Sequence, residues 1–303
     1  MRVSTGMLHG AILNNIRQAH GRILKMQAEI SSGQRIQVPS DDPAGTARAL
    51  RLRSRLRANA QWDRNLTQAR DFALATETTL GRLADLGSEV RVLATRAADS
   101  SQGPDELAAF GEHFNSLLEN LLSEANAEHG GVRLFGGTDT REAPYVAMRN
   151  AEGDIVSVTT RSGAPNEGDL LRQVGAGEVI AINTPGTEVF GDSLESFETL
   201  IALRDAARGG DAAAVEGLLS SVDADWERVT TTQAVSGVLI QRIGRFAERL
   251  ELDAIELEAS RSGVEDLDIS QALIEYHEEQ AMLEASLAMT SRVLELTLAR
   301  FLS

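Results

Sequence analysis

Both ends of the chain carry apolar residues at alternating steps of three and four, and that single pattern leaves few folds open. Near the start, Ile12, Ile16, Ala19, Ile23, Met26 and Ile30 follow one another at 4, 3, 4, 3, 4. Toward the finish, Ile269, Leu273, Tyr276, Gln280, Leu283, Leu287, Thr290, Leu294, Leu298 and Phe301 keep nearly the same steps. An α-helix gathers such positions on one face, and a sustained seven-residue repeat makes that face the seam of a coiled coil. Each end is therefore a helix that needs a partner. Charge points each toward the other. Residues 1–60 carry ten Lys/Arg and three Asp/Glu, a balance of +7, whereas residues 251–303 carry three and twelve, a balance of −9. For the ends to pair, the chain must fold back on itself.

The segments between them follow from breakers and caps. The first helix is expected to stop at Ser31-Ser32-Gly33, where glycine can take the left-handed conformation that ends a helix. Val38-Pro39 forces an extended stretch. In Ser40-Asp41-Asp42-Pro43 an aspartate can cap the next helix while Pro43 occupies its first position, where a missing N–H costs nothing. No proline follows until Pro104. Leu66, Ala69, Ala73, Thr76, Leu80, Leu83, Gly87, Val90, Ala94 and Ala97 repeat every 3 and 4, which predicts one long helix. A further helix follows Pro104, with Leu107, Phe110, Phe114, Leu117 and Leu121 on one side.

From Gly130-Gly131 the character changes. Pro144, Pro165 and Pro185 interrupt the chain, and Ile155–Thr159 and Glu178–Ile182 alternate as strands do. Asn150–Gly153 and Pro185-Gly186 read as turns. Helix resumes after Asp192, with Glu195 in a capping-box position. It breaks at Gly209-Gly210, runs from about 211 to 261, and yields at Ser262–Asp266 to the last helix. The expected fold class is mainly α with a small β-rich insertion: a long antiparallel helical rod or coiled coil formed by the N- and C-terminal segments. Three segments are expected: 1–40 with 266–303 as the assembly domain, 41–135 with 192–265 as long helices, and 136–191 as a β-rich outer part.

Chemistry is sparse. Without cysteine there is no disulfide framework and no thiolate metal site. The five histidines show no close-ligand spacing, and no phosphate-cradling glycine loop is present. His129, beside a glycine pair, reads as a capping imidazole at a helix end. Gly191-Asp192-Ser193-Leu194 spells the signature of a serine esterase family, but the sequence lacks the late Asp-x-x-His that supplies the base, because Ile274 stands three residues before His277. Asp192 or Ser193 as a helix cap explains those letters. The run Arg48, Arg51, Arg53, Arg55 and Arg57 lacks interleaved aromatics on a chain of net charge −16, which favours a solvated face or a subunit contact over nucleic acid. The start Met1–Met7 has no continuous apolar stretch of the Sec type. No run of 18 apolar residues suggests a membrane span. No enzyme, metal or cofactor is expected. Heptads of this length also occur in signalling rods and chaperones.

Particular motifs are more specific. Ile30-Ser31-Ser32-Gly33-Gln34-Arg35-Ile36 followed by Pro39-Ser40-Asp41-Asp42-Pro43-Ala44 resembles the SSGxRI…PSDDPA turn of the flagellin superfamily. Gly33, Arg35, Pro39, Ser40, Asp41, Asp42 and Pro43 carry that likeness. Gly131–Thr138, with Pro144-Tyr145 behind it, resembles the hairpin of the superfamily's hook–filament junction members, as does the Met1-Arg2 start. Ser262–Asp268 resembles the turn into the superfamily's C-terminal helix, and Leu294–Leu298 its closing segment. Arg133 and Leu134 depart from the usual aromatic-containing pair, and Tyr145 replaces phenylalanine. The resemblance implies a secreted, extracellular structural protein of the bacterial flagellum, exported uncleaved by the type III route with a flagellar export chaperone. It further implies a homo-oligomeric ring between the hook-side junction protein (hook-associated protein 1) and flagellin, with a minor flagellin as the alternative. Ile12, Ile16, Ile23, Met26, Ile30, Ile269, Leu273, Leu283, Leu287, Leu294, Leu298 and Phe301 are then the expected assembly positions.

Overall fold

The computed structural model describes the backbone of residues 5–99, 101–161 and 166–302, and the side chains of residue 7 and of those between 10 and 292. Among the described residues seven helices and six short strands follow in order. They are α1 (Thr5–Ser32), α2 (Pro43–Ala97), α3 (Pro104–Ala125), β1 (Glu128–His129), β2 (Val132–Arg133), β3 (Tyr145–Arg149), β4 (Ile155–Thr160), β5 (Leu171–Gln173), β6 (Val179–Ala181), α4 (Gly186–Phe190), α5 (Glu195–Arg208), α6 (Ala212–Glu265) and α7 (Ile269–Leu302). The protein is mainly α with small antiparallel hairpins, and among the described residues no helix is long and apolar enough to cross a membrane. Two compact units divide the chain, Met1–Ala58 with Asp253–Ser303 and Asn59–Leu252, where the sequence suggests three segments.

In the unit of residues 59–252 the α2 repeat faces inward. Leu66, Ala69, Ala73, Thr76, Leu80, Leu83, Val90, Ala94 and Ala97 are all buried. They share one core with Leu107, Phe114, Leu117, Leu118 and Leu121 of α3 and with Phe197, Leu200 and Leu203 of α5. Phe135, Tyr145, Phe190 and Phe197 meet in this core with ring centroids 5.2–5.8 Å apart. Edge and tilted geometries of this kind add to simple area burial. Burial pushes the Tyr145 phenol up to about 12, so it packs as a neutral group. The hairpin residues thus join the helical core instead of building one of their own. A segment of that size buries too little apolar surface to stand alone.

The strands make three separate two-stranded pairs, β1 with β2, β3 with β4 and β5 with β6. Asn150–Gly153 is the turn of the second. Two arginines on α5 fix that hairpin. Arg204 is buried and donates through Nη1 to the Ile155 carbonyl (2.6 Å), while Arg208 reaches Asp154 (2.7 Å) and Glu112 of α3 (2.9 Å).

Four local expectations need correction. Pro185-Gly186 opens the short helix α4, with Pro185 at its N-cap. His129 lies in β1 paired with Val132, not at a helix end, because α3 has already stopped at Ala125. Neither Asp192 nor Ser193 caps α5. Its N-cap is Leu194, held at φ +64°, and the Glu195 carboxylate accepts the Ser193 N–H (3.3 Å) in place of a capping box. Ser262, Gly263 and Val264 remain helical, so α6 continues to Glu265.

Candidate assembly surface

The unit of residues 1–58 and 253–303 is built on α1 lying antiparallel along α7. On α1, Ala19 is buried, and Ile12, Ile16, Ile23, Met26 and Ile30 are half-buried. On α7 the positions turned inward are Ala272, Tyr276, Glu279, Leu283 and Thr290. Glu279 accepts the Nε–H of Arg22 (2.9 Å), an ion pair set within the seam. The α7 stripe is rotated by part of a turn from the one the leucines suggest. Ile269, Leu273 and Leu287 stay 50%, 41% and 48% exposed. Gln280 is also exposed. The side chains of Leu294, Leu298 and Phe301, like those of Leu8 and Leu302, lie outside the described residues.

Two helices make a narrow contact, and much apolar surface is left over. Leu13, Leu24, Ile274, Met282 and Met289 are more than half exposed as well. A helix apolar on more than one face is one that expects a second neighbour.

The pair is closed at one end by two interlocking turns. Gly33 ends α1 in the left-handed region at φ +70°. Gln34 then bridges Asp266, the Arg35 N–H donates to the Glu265 carbonyl (2.8 Å), and the Leu267 N–H donates to the Gly33 carbonyl (2.9 Å). The Arg35 guanidinium donates to the Val264 carbonyl (2.8 Å) and stands 3.6 Å from Asp42. Asp41 shapes the loop: its carboxylate accepts the N–H groups of Gln37 (3.2 Å) and Val38 (3.1 Å) and an ammonium hydrogen of Lys25 (2.9 Å). The Lys25 hydrogen bond, assisted by the two backbone amides, holds the Asp41 carboxyl below the ordinary carboxylate value.

Asp42 is the N-cap of α2, accepting the Gly45 N–H (2.8 Å), with Pro43 at the first helical position. A Cβ on residue 45 would stand 2.4 Å from Asp42 Oδ2 and 2.7 Å from Ile36 Cδ1, so only glycine permits the cap to sit this close. Pro39 and Ser40 are exposed and sit at the centre of a turn, the Asp41 N–H donating to the Val38 carbonyl (2.9 Å) ahead of the cap, where the sequence suggests an extended stretch.

Beneath this crossing lies Glu265, 5% exposed, a residue not among the expected assembly positions. Its carboxylate accepts from Arg53 of α2 (2.9 Å) and from Arg261 one turn earlier on α6 (2.9 Å). Arg261 also pairs with Glu258 (2.7 Å). The signal was present but ambiguous: a lone glutamate in Gly263-Val264-Glu265-Asp266 reads as a loop acid until Arg53 is known to face it. On α7, Asp268 Oδ1 accepts the N–H groups of Ser270 (3.0 Å) and Gln271 (3.1 Å), capping that helix. The motif at 30–44 and the motif at 262–268, far apart in sequence, are thus two halves of one clasp. Among the described residues no histidine hydrogen-bonds the Ser193 side chain. Among the described residues the one histidine with a side-chain hydrogen bond is His113, to Glu89 (3.0 Å).

Paired chain-end helices, closed by this clasp and accompanied by a helical unit with small hairpins, define a flagellin-like structural protein. Residues 3–140 match the bacterial flagellin N-terminal helical region and residues 219–302 the bacterial flagellin C-terminal helical region. The chain belongs to the flagellin family, a family of flagellar structural proteins. It is 22% identical over 312 residues to flagellar hook-associated protein 3 of Salmonella typhimurium, covering 94% of this chain and 95% of that one. It is 20% identical over 295 residues to the flagellin of Listeria innocua, covering 96% and 95%. Among solved structures, hook-associated protein 3 of Legionella pneumophila superposes with a TM-score of 0.61 at 12% identity, over 70% of this chain and 98% of that one. Bacillus cereus FlgL gives 0.57 at 17% identity, over 70% and 99%.

Proposed function

We propose that this protein is the adaptor at the hook–filament junction of a bacterial flagellum, exported uncleaved by the type III route and working outside the cell. Copies form a ring that seats on the hook-side junction protein (hook-associated protein 1) and presents a template to flagellin; a flagellar export chaperone holds the chain before secretion. In this reading the exposed apolar positions of α1 and α7, together with Leu294, Leu298 and Phe301, become buried against neighbouring subunits. The clasp at residues 33–43 and 262–268 sets the register of the two arms.

The observation that carries the reading is the end-to-end similarity to hook-associated protein 3, which takes in both terminal arms and the hairpin region. The hairpin at Gly131–Thr138 with Pro144-Tyr145 points the same way. A second reading, a minor filament subunit, draws on the equally long similarity to a flagellin.

Deleting the gene tests the proposal. The adaptor predicts intact hooks, no attached filaments and flagellin monomer in the medium. Normal filaments on the deletion strain would overturn it, and purified protein that polymerises alone into long filaments would favour the second reading.

A further inference from the structure

The two terminal arms neutralise each other less than their charges allow. Among the described residues the ion pairs joining one arm to the other are Arg22–Glu279 and Arg53–Glu265. Lys25 and Arg35 are taken up by Asp41 and Asp42 of their own arm. Arg48, Arg51 and Arg55 on α2 remain exposed, with no ion pair among the described residues. Spaced three and four apart, they lie on one stripe of the helix and repel one another. A matching surplus stands on α7. Glu275 and Glu278 are exposed on a stripe shared with Met282 and Met289, and neither pairs with a cation among the described residues. Among the described residues Glu275 accepts the side-chain amide of Gln271 (2.9 Å).

A basic stripe and an acidic, Met-bearing stripe on the same unit are different surfaces. In the ring reading, contact between them runs head to tail from one copy to the next, which closes into a ring where the rotation allows and extends as a filament where it does not. We propose that the Arg48/Arg51/Arg55 stripe of one copy docks on the Glu275/Glu278 face of α7 in a second copy of this chain, which makes the subunit contact ionic and directional. The inference rests on the ring reading above and names the surfaces that form it. Complementary charge selects register and partner more than it adds affinity. The contact weakens as salt rises, because exposed charges are screened within about 8–10 Å at ordinary ionic strength.

The absence of cysteine in the chain permits a direct test. R51C and E278C are introduced together and singly into the full-length chain in the deletion strain. Hook–filament preparations are then treated with a short bis-maleimide and analysed by mass. The expected result is a ladder of multiples of this chain with the double variant only. Two findings would overturn the proposal: no ladder although the protein is present in the preparation, or crosslinked species whose masses are not multiples of this chain. In parallel, R48E/R51E/R55E is expected to lower the number of attached filaments roughly tenfold or more, and adding E275R/E278R is expected to restore them. Full activity of the triple variant, or no recovery in the combined variant at unchanged thermal stability, would also overturn it. Failure of the junction reading itself is distinguishable, since the deletion strain would then show no filament defect to begin with.

Discussion

Replacing Glu265 by alanine removes the acceptor at the centre of the clasp, and the structure sets the size of the effect. A fully buried ion pair that loses one partner costs about 3–5 kcal/mol, whereas an exposed pair contributes about 0–1 kcal/mol. Glu265 is buried, but the Arg53 side chain is 47% exposed and reaches water without it. Arg261 keeps Glu258. The loss therefore falls between the limits, at about 2 kcal/mol. Confined to the unit of residues 1–58 and 253–303, that corresponds to a roughly thirty-fold rise in local opening. The assay is amide hydrogen exchange at Arg35 and Leu267, whose N–H groups close the two turns onto each other. Both amides should lose protection together while amides of the α3 and α5 core do not change. Glu265→Gln, which keeps the size and one acceptor, should lose about half as much. Unchanged protection at Arg35 and Leu267 in Glu265→Ala would refute the view that this carboxylate holds the clasp.

Other outcomes follow from the same geometry. Gly111→Ala should destabilise the unit of residues 59–252 by about 1–3 kcal/mol in denaturant unfolding, because its Cβ would stand 2.6 Å from Arg208 Cγ and 3.3 Å from the Arg204 carbonyl. Gly81→Ala, whose Cβ meets only Gln233 Nε2 at 3.6 Å, should instead stabilise α2 by about 0.5–1 kcal/mol. Asp41 has a lowered folded pKa, so its contribution to the loop is fully present above an unfolded value of about 3.9 and is lost as pH falls through the lower folded one. Exchange at the Val38 amide should therefore rise in that acidic window, and Asp41→Asn should abolish the pH dependence.

Much of the fold was legible because its signals were local and consistent. The α2 heptad from Leu66 to Ala97 has one apolar stripe, and the α1/α2 connection combines a glycine stop, a proline turn and an Asp-Pro cap. The register of α7 was harder to read. Leu273, Leu287 and Ile269 compete with Ala272 and Glu279 for the same inward direction, and sequence hydrophobicity favours the larger residues. The seam goes to the small alanine and to a glutamate held by Arg22, because close helix approach and an ion pair decide it. Gly263 looked like a helix break. It stays helical because α6 ends only where Asp266 and Leu267 are drawn into pairing with Gln34 and Gly33. The hairpins were visible as strands, yet their absorption into the core through Phe135, Tyr145 and Phe190 depends on aromatic contacts made across long sequence separations. Of the candidate surface, the turn motif was plain in the sequence. Glu265 was not, since its role exists only once Arg53 has been folded against it.

The most direct measurement of the central claim is the position of the protein on the flagellum. Immunogold labelling of purified hook–filament assemblies should place label in a single narrow band where the hook meets the filament. Label distributed along the filament, or absent from hooks and filaments that are otherwise complete, would contradict the junction role.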